Sequence, residues 1–400
     1  MGSTKRNVRC PDVRIRQDNL VKGSVRKRGS TWTYQFVVVL GGERRFVTRG
    51  GFRTRKECEQ ALSAEMSAAG KGGVTTSRRT LADYLRNEWL PVQETRLKPS
   101  TLHGYRLIIE QRIIPLLGSR RLGDLSPGDV TAFLQAHRAL PPRRNGSSAL
   151  SEQTIKRSFR VLHVALAHAV ELGLILRNPA SLVPRAARPR PKTREMRVWS
   201  AADLRMFLEA TADDRLHAAY VVAATSGLRR SELAGLRWDD VDLDAGTFSV
   251  QRARVEAGYE VFEGPPKSGR GRVVRVPHGT VTALRKHRAA QLEERLAFGS
   301  EWIDSGYVLI CENGEPLHPQ SLTDAFERRV RVVDVPVIRF HDLRHTCATL
   351  LLQADVHPKI VQEMLGHSSI AITLDIYSHI VPGMQDEAAR RMGAIVFAPV

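Results

Sequence analysis

Residues 341–377 read HDLRHTCATLLLQADVHPKIVQEMLGHSSIAITLDIY, and the reading of that stretch decides the reading of the whole chain. His341 and Arg344 stand three apart, which puts them on one face of a helix. His367 follows Leu365-Gly366, and Tyr377 comes ten residues later in a short helical run after Ile372, Thr373 and Ile376. His341 and His345 also have the spacing of zinc ligands on a helix. The position after the first histidine is Asp342, where the metalloprotease pattern has Glu, and Arg344 would set a cation beside the metal. Neither a metal nor another cofactor is expected.

Outward from this stretch the same part of the chain holds more cationic groups. Arg229 stands in Thr225-Ser226-Gly227-Leu228-Arg229-Arg230-Ser231-Glu232-Leu233, a turn entering a helix. Lys267 stands in Pro265-Pro266-Lys267-Ser268-Gly269, read as a hairpin tip before a strand over 273–276. No phosphate-binding loop with its Lys-Ser/Thr pair occurs, so nucleotide hydrolysis has no support. A Gly-x-Ser-x-Gly elbow is missing as well. Glu232 reads as a brace for its helix or a neighbouring arginine, His345 as the partner in a structural hydrogen bond, and Tyr220, Tyr259 and Tyr307 as packing residues.

Composition narrows the partner. The 400 residues carry 61 Lys plus Arg against 42 Asp plus Glu, a formal charge of +19. So basic a chain repels itself unless a polyanion is its usual partner, and nucleic acid is the first expectation. A hydrophobic fraction of 42% suffices for real cores, and the length suits two or three domains. Cys10, Cys58, Cys311 and Cys347 show no paired spacing, which fits a reducing compartment. The charged N-terminal segment has no apolar run behind it, and no stretch approaches the roughly 18 apolar residues of a membrane span. A soluble cytoplasmic, nucleoid-associated protein without membrane contact is expected. Asn145-Gly146-Ser147 is read as a turn, not a glycosylation site.

The chain divides by pattern. Residues 1–19 read as a flexible basic arm. Residues 20–70 read as a three-stranded sheet plus helix: Trp32, Tyr34 and Phe36 alternate with polar neighbours, and Thr54 with Glu57 opens the helix that Gly70 closes. Arg26, Lys27, Arg28, Arg44, Arg45 and Arg53 cluster on this module and are its candidate DNA contacts. A linker at 71–79 leads to an all-helical domain at 80–182. There Leu81, Tyr84, Leu85 and Trp89 form one apolar face, and Leu102, Tyr105, Ile109 and Ile113 another after a Ser100 cap. Further helices are expected over 125–136 and 154–172, around a loose loop at 141–148. Residues 183–197 read as an extended basic linker, 198–385 as a mainly helical domain with a small antiparallel sheet, and 386–400 as a tail. The fold class is therefore multidomain and mainly α, with a small α+β module at the N-terminal end.

The Gly-Leu-Arg-x-Ser-Glu-Leu, His-x-Leu-Arg-His and Leu-Gly-His segments, with the tyrosine ten residues beyond, resemble the tyrosine recombinases, or phage integrases. The likeness is strong over about 199–385; the helical domain resembles the family's core-site-binding domain and the N-terminal module its arm-site-binding domain. It implies a site-specific integrase of a mobile element that cuts and rejoins double-stranded DNA through a 3′-phosphotyrosyl intermediate, without metal or ATP. Tyr377 would be the nucleophile, and Arg229, Lys267, His341, Arg344 and His367 its companions. It further implies core-type and arm-type attachment sites, a tetramer on DNA, a host bending protein and an excisionase, and a C-terminal tail docking on a neighbouring subunit. The chemistry agrees. Two permanently charged guanidiniums can hold the non-bridging oxygens that a metal would otherwise hold. A phenol of ordinary pKa about 10 needs a base, for which His341 is the candidate. A chromosome-dimer resolvase, a type IB topoisomerase-like relaxing activity and a non-catalytic DNA-binding regulator on the same fold are the alternatives.

Overall fold

The computed structural model describes residues 23–40, 43–70, 79–140, 150–192, 196–267, 269–378 and 384–397. The basic arm, most of the 71–79 linker and the loop at 141–148 lie outside the described residues, as do the side chains of Arg44, Arg45 and Tyr377. The chain forms two compact units, Met1–Lys192 and Thr193–Val400.

The first unit has two hydrophobic cores. One joins an antiparallel sheet, β1 (Ser24–Arg28), β2 (Thr31–Leu40) and β3 (Glu43–Phe52), to α1 (Arg55–Gly70). Strand alternation turns Tyr34 and Phe36 toward Cys58 and Leu62 of α1. It also sets Lys27 on the Tyr34 side of β1 and Arg26 on the opposite side. Arg26, Lys27, Arg28 and Arg53 are all exposed. The Thr54 hydroxyl accepts the Glu57 N–H, while the Glu57 carboxylate accepts from Arg53 N, one residue before the expected partner.

The second core is helical: α2 (Leu81–Tyr84), α3 (Leu90–Glu94), α4 (Pro99–Ile108), α5 (Ile114–Leu117), α6 (Pro127–Ala139) and α7 (Glu152–Glu171). Single π turns, Leu85–Trp89 and Ile109–Ile113, join α2 to α3 and α4 to α5. Each ends one residue short of a proline, Pro91 or Pro115, whose ring would strike the carbonyl four residues back. The wider turn relieves that clash and keeps the apolar stripe continuous. Leu81, Tyr84, Leu85 and Trp89 are buried, and Trp89 stacks on Tyr105 at 5.6 Å. Two expected helix starts are corrected. α4 opens on Pro99 after Lys98, so Ser100 lies inside it, and α6 opens after Ser126, which forms a capping box with Asp129. The segment read as an extended linker from 183 is partly folded within this unit. Val183 is buried, Arg188 donates to the carbonyls of Ser181 and Val183, and Arg138 donates to that of Ala187. Its positive charge goes first to carbonyls that no helix or strand serves.

The second unit opens with α8 (Ala201–Ala210), capped by Ser200 and Asp203 in a reciprocal box. α9 (His217–Ser226) and α10 (Arg230–Ala234) follow, then β4 (Val241–Asp242), β5 (Thr247–Val250), β6 (Ala253–Ala257), β7 (Glu260–Gly264) and β8 (Arg272–Arg275). Helices complete it: α11 (His278–Phe298), α12 (Pro319–Val330), α13 (Asp342–Gln353), α14 (Pro358–Leu365), α15 (Ile370–Ser378) and α16 (Met384–Phe397). Phe207, Tyr220, Phe326 and Phe340 meet edge to face in the core, and Trp199 packs tilted against Phe207. The largely apolar α9 runs through this core and delivers its C-terminal end, Gly227, to the site.

Two further expectations are corrected here. β7 pairs with β6 while β8 pairs with β5, so Lys267 lies in a turn between two sheets and not at a hairpin tip. Tyr259 is fully exposed at the β6–β7 turn, because the tip of a two-stranded ribbon has nothing packed on it; Tyr220 and Tyr307 are buried as expected.

Candidate active site

The site is organised by the end of one helix. α14 stops at Gly366, whose left-handed backbone (φ 65°, ψ 46°) lets the N–H of His367 bond Gln362 O at 3.1 Å and that of Gly366 bond Glu363 O at 3.1 Å. The last carbonyls of any α-helix lack partners within the helix. Here three consecutive ones are each taken by a different arginine. Met364 O accepts from Arg272 Nε at 2.8 Å, Leu365 O from Arg344 Nη2 at 2.7 Å, and Gly366 O from Arg229 Nη2 at 2.9 Å. The three come from β8, α13 and the turn between α9 and α10. A helix C-terminus carries partial negative charge, so it suits three cations that would otherwise repel one another.

Two further groups complete the frame. Arg344 Nη1 donates to Gly227 O at 2.6 Å, so one guanidinium spans the ends of α9 and α14. Glu232 is 1% exposed and serves two arginines. Oε1 accepts from Arg229 Nη1 at 2.7 Å and Arg272 Nη1 at 3.2 Å, and Oε2 from Arg229 N at 3.0 Å and Arg272 Nη2 at 2.8 Å. Burial alone would raise the Glu232 carboxyl, but Arg272 and then Arg229 outweigh it and hold it below its usual range. Desolvation, followed by Arg229, pushes Arg344 down to about 9, which leaves it charged at neutral pH. Each guanidinium has five N–H groups, so Arg229 and Arg344 keep donors beyond those that fix them. Arg229 is the more accessible, with a 20% exposed side chain against 3% for Arg344 as a residue.

The histidines stand beside these cations. His341 caps α13 and reaches solvent, yet desolvation, then His345 and Arg344, push its imidazole down to about 4. His367, half-buried, is pushed down to about 4 by desolvation and by Arg344 and Arg229. Both rings are therefore neutral at pH 7. His367 Nδ1 pairs with Thr373 Oγ1 at 2.9 Å, which leaves Nε2 as the nitrogen for another partner. The structural hydrogen bond expected of His345 is not found among the described residues. Its ring instead meets that of His341 edge-on at 5.2 Å.

Of the residues singled out in the sequence, Arg229, Arg344 and His367 are thus gathered about the end of α14, with His341 one turn before Arg344. Lys267 is exposed in the turn between β7 and β8. Tyr377 lies in the last turn of α15, the helix that also carries Thr373. Arg272 was not anticipated. Its signal was the strand alternation: it shares a face of β8 with buried Val274, an unusual place for an arginine without a partner. Among the described residues no cluster of His, Cys, Asp and Glu fit to hold a metal occurs. No helix among them is long and apolar enough to cross a membrane.

Comparison with known proteins agrees with this geometry. The family model described as Phage integrase family matches residues 200–383, and Phage integrase, N-terminal SAM-like domain, matches 80–136. A tyrosine recombinase XerC-like protein of Caldanaerobacter subterraneus subsp. tengcongensis is 31% identical over 259 residues, covering 60% of this chain and 66% of the relative. The Tn1549 transposon integrase, solved with a circular intermediate DNA, superposes with a TM-score of 0.64 at 22% identity over 80% of this chain and 100% of that one. A lambda integrase tetramer bound to a Holliday junction gives 0.54 at 18%, over 90% and 96%. The mainly helical fold is that of enzymes that cut and rejoin DNA. The chain belongs to the tyrosine recombinases, the phage integrase family.

Proposed function

We propose that this recombinase is the integrase of a mobile element and that the end of α14 is where it holds the scissile phosphate. The observation that carries the reading is the tethering of Arg229 and Arg344 to adjacent carbonyls, Leu365 O and Gly366 O, beside neutral His367. Their remaining N–H groups bind the non-bridging oxygens and stabilise the charge that gathers there in the transition state. His367 donates a further hydrogen bond through Nε2. The Tyr377 phenol attacks phosphorus and passes its proton to His341, whose neutral imidazole has a free nitrogen lone pair to take it. As the phosphorus–tyrosine bond forms, the bond to the 5′ oxygen breaks, and Lys267 supplies that oxygen's proton. The 3′-phosphotyrosyl ester retains the energy of the broken linkage, so rejoining by a 5′ hydroxyl needs no nucleotide.

Residues 80–182 are assigned to core-type sites and 20–70 to arm-type sites, with exposed Arg26, Lys27, Arg28 and Arg53 supplying phosphate contacts. Support for a mobile-element role comes from the Tn1549 likeness, and for four copies on DNA from the lambda integrase tetramer on its junction. A host bending protein and an excisionase belong to the same reading. A nicked suicide duplex carrying candidate attachment sites tests it. A covalent adduct should form without metal or nucleotide, and Tyr377→Phe should abolish it while leaving binding. An adduct that persists in that variant overturns the assignment of the nucleophile.

A further inference from the structure

Arg272 makes three hydrogen bonds within the site, and none of them is needed to hold β8, which pairs with β5 through its backbone. Two go to Glu232 and the third to Met364 O, one carbonyl before that of Arg344. Its side chain is 11% exposed, so it sits behind Arg229. At Gly366 a Cβ would lie 3.0 to 3.2 Å from the Arg272 side chain. The close fit of guanidinium to helix end thus depends on a residue without a side chain.

We propose that Arg272 is a positioning residue for strand cleavage: by sharing Glu232 it leaves the charge of Arg229 available to the phosphate, and by binding Met364 O it holds the helix end from which His367 extends. The inference rests on the phosphate-site reading above. With Arg272 absent, Glu232 would face Arg229 alone, and a one-to-one buried ion pair would cancel the charge that the phosphate has to feel. With Arg272 present, two guanidiniums share one carboxylate, and with Arg344 on the adjoining carbonyl the cluster keeps two uncompensated positive charges. A phosphodiester carries one negative charge, and in-line attack by phenolate brings a second to the reacting group. The cluster is therefore matched to the transition state more closely than to the bound substrate, which is the condition for raising rate in preference to affinity.

The experiment compares first-order adduct formation at saturating enzyme with affinity for the same nicked duplex, using the full chain. The variants are Arg272→Met, Arg272→Lys and the double variant Arg272→Met/Glu232→Gln. Arg272→Met should form adduct at least about tenfold more slowly, with affinity changed much less. Arg272→Lys keeps the charge but not the fork, and should fall between it and the unaltered enzyme. The double variant restores the net charge of the cluster and should recover part of the lost rate. A methylphosphonate at the scissile position, which removes one negative charge from the substrate, should narrow the gap between Arg272→Met and the unaltered enzyme. A purely architectural arginine predicts the opposite: the double variant slower than Arg272→Met, and no narrowing on the neutral linkage. Either result, or an Arg272→Met rate equal to the unaltered rate, overturns the proposal. Should Arg272→Met fail to fold, Arg272→Gln, which removes the charge and keeps a polar end, makes the same distinction on the charged and neutral linkages. Absence of adduct with the unaltered enzyme would instead overturn the phosphate-site reading itself.

Discussion

Arg229 and Arg344 are tethered to consecutive carbonyls of one helix end, Gly366 O at 2.9 Å and Leu365 O at 2.7 Å. Two side chains far apart in sequence thereby take their spacing from the fixed step of a single backbone. The helix end also offsets their mutual repulsion, since cations near a C-terminus gain about 0.3–1 kcal/mol each, and more where partly buried. The site is preorganised by hydrogen bonds that exist before DNA arrives, so little reorganisation is left for the reaction step.

Arg344→Lys tests the tether directly. Arg344 reaches Gly227 O and Leu365 O through separate nitrogens, and a single ammonium lacks that planar fork. Adduct formation should fall by about 10²–10³, the usual range for loss of an oriented donor at a developing anion, while DNA binding measured by mobility shift changes little.

Gly366→Ala should damage catalysis more than folding. The residue sits at φ 65°, where an alanine costs about 1–2 kcal/mol. Its Cβ would also press on Arg272 at 3.0 Å. A modest loss of Tm with a much larger loss of cleavage rate is expected; equal losses would show that the helix end serves the fold alone.

Glu232→Gln should destabilise the second unit, toward the low end of about 3–5 kcal/mol, because two partly buried guanidiniums lose their shared counter-ion. The pH dependence has a definite sign. A carboxyl held below its usual range in the folded state adds stability above its ordinary pKa, and that stability is lost as pH falls through the folded value. Thermal melts from pH 7 downward should therefore show an acid-side loss in the parent that is shallower in the variant.

His341 and His367, both pushed down to about 4 in the fold, act in the same direction. Between about pH 6.5 and 4 the unfolded chain binds protons that the folded chain refuses, so stability drops across that window. NMR titration of the DNA-free protein should place both imidazole midpoints well below an ordinary histidine. A midpoint near 6.5 for His341 would remove the reason it stays neutral beside two arginines.

DNA affinity should fall steeply with salt, in line with the net charge of +19 and contact with many phosphates. Titration at several salt concentrations checks this, and a nearly flat log–log plot would contradict the proposed phosphate contacts of the N-terminal module.

The sequence by itself marked out the candidate reacting groups and outlined most of the helices and strands. Arg229, His341, Arg344, His367 and Tyr377 stand in short local segments, and the apolar periods of 2 and 3.6 outline sheet and helices because each reflects only a residue's near neighbours. Tertiary structure decided what those residues are fixed to. Strand alternation only hinted at Arg272, because its partners, Glu232 and Met364, are distant in the chain and meet only when β8 packs beside α14. The turn of Lys267 was misread because strand pairing is a long-range choice: β7 and β8 look like two arms of a hairpin in sequence yet pair with different strands. The prolines at 91 and 115 are plain to read, but that a π turn would absorb each clash, leaving the helix unbroken, depended on the buried stripe on either side. Local pattern names the candidate groups; the end of one helix, met by three arginines from three directions, sets where Arg229, Arg272 and Arg344 stand.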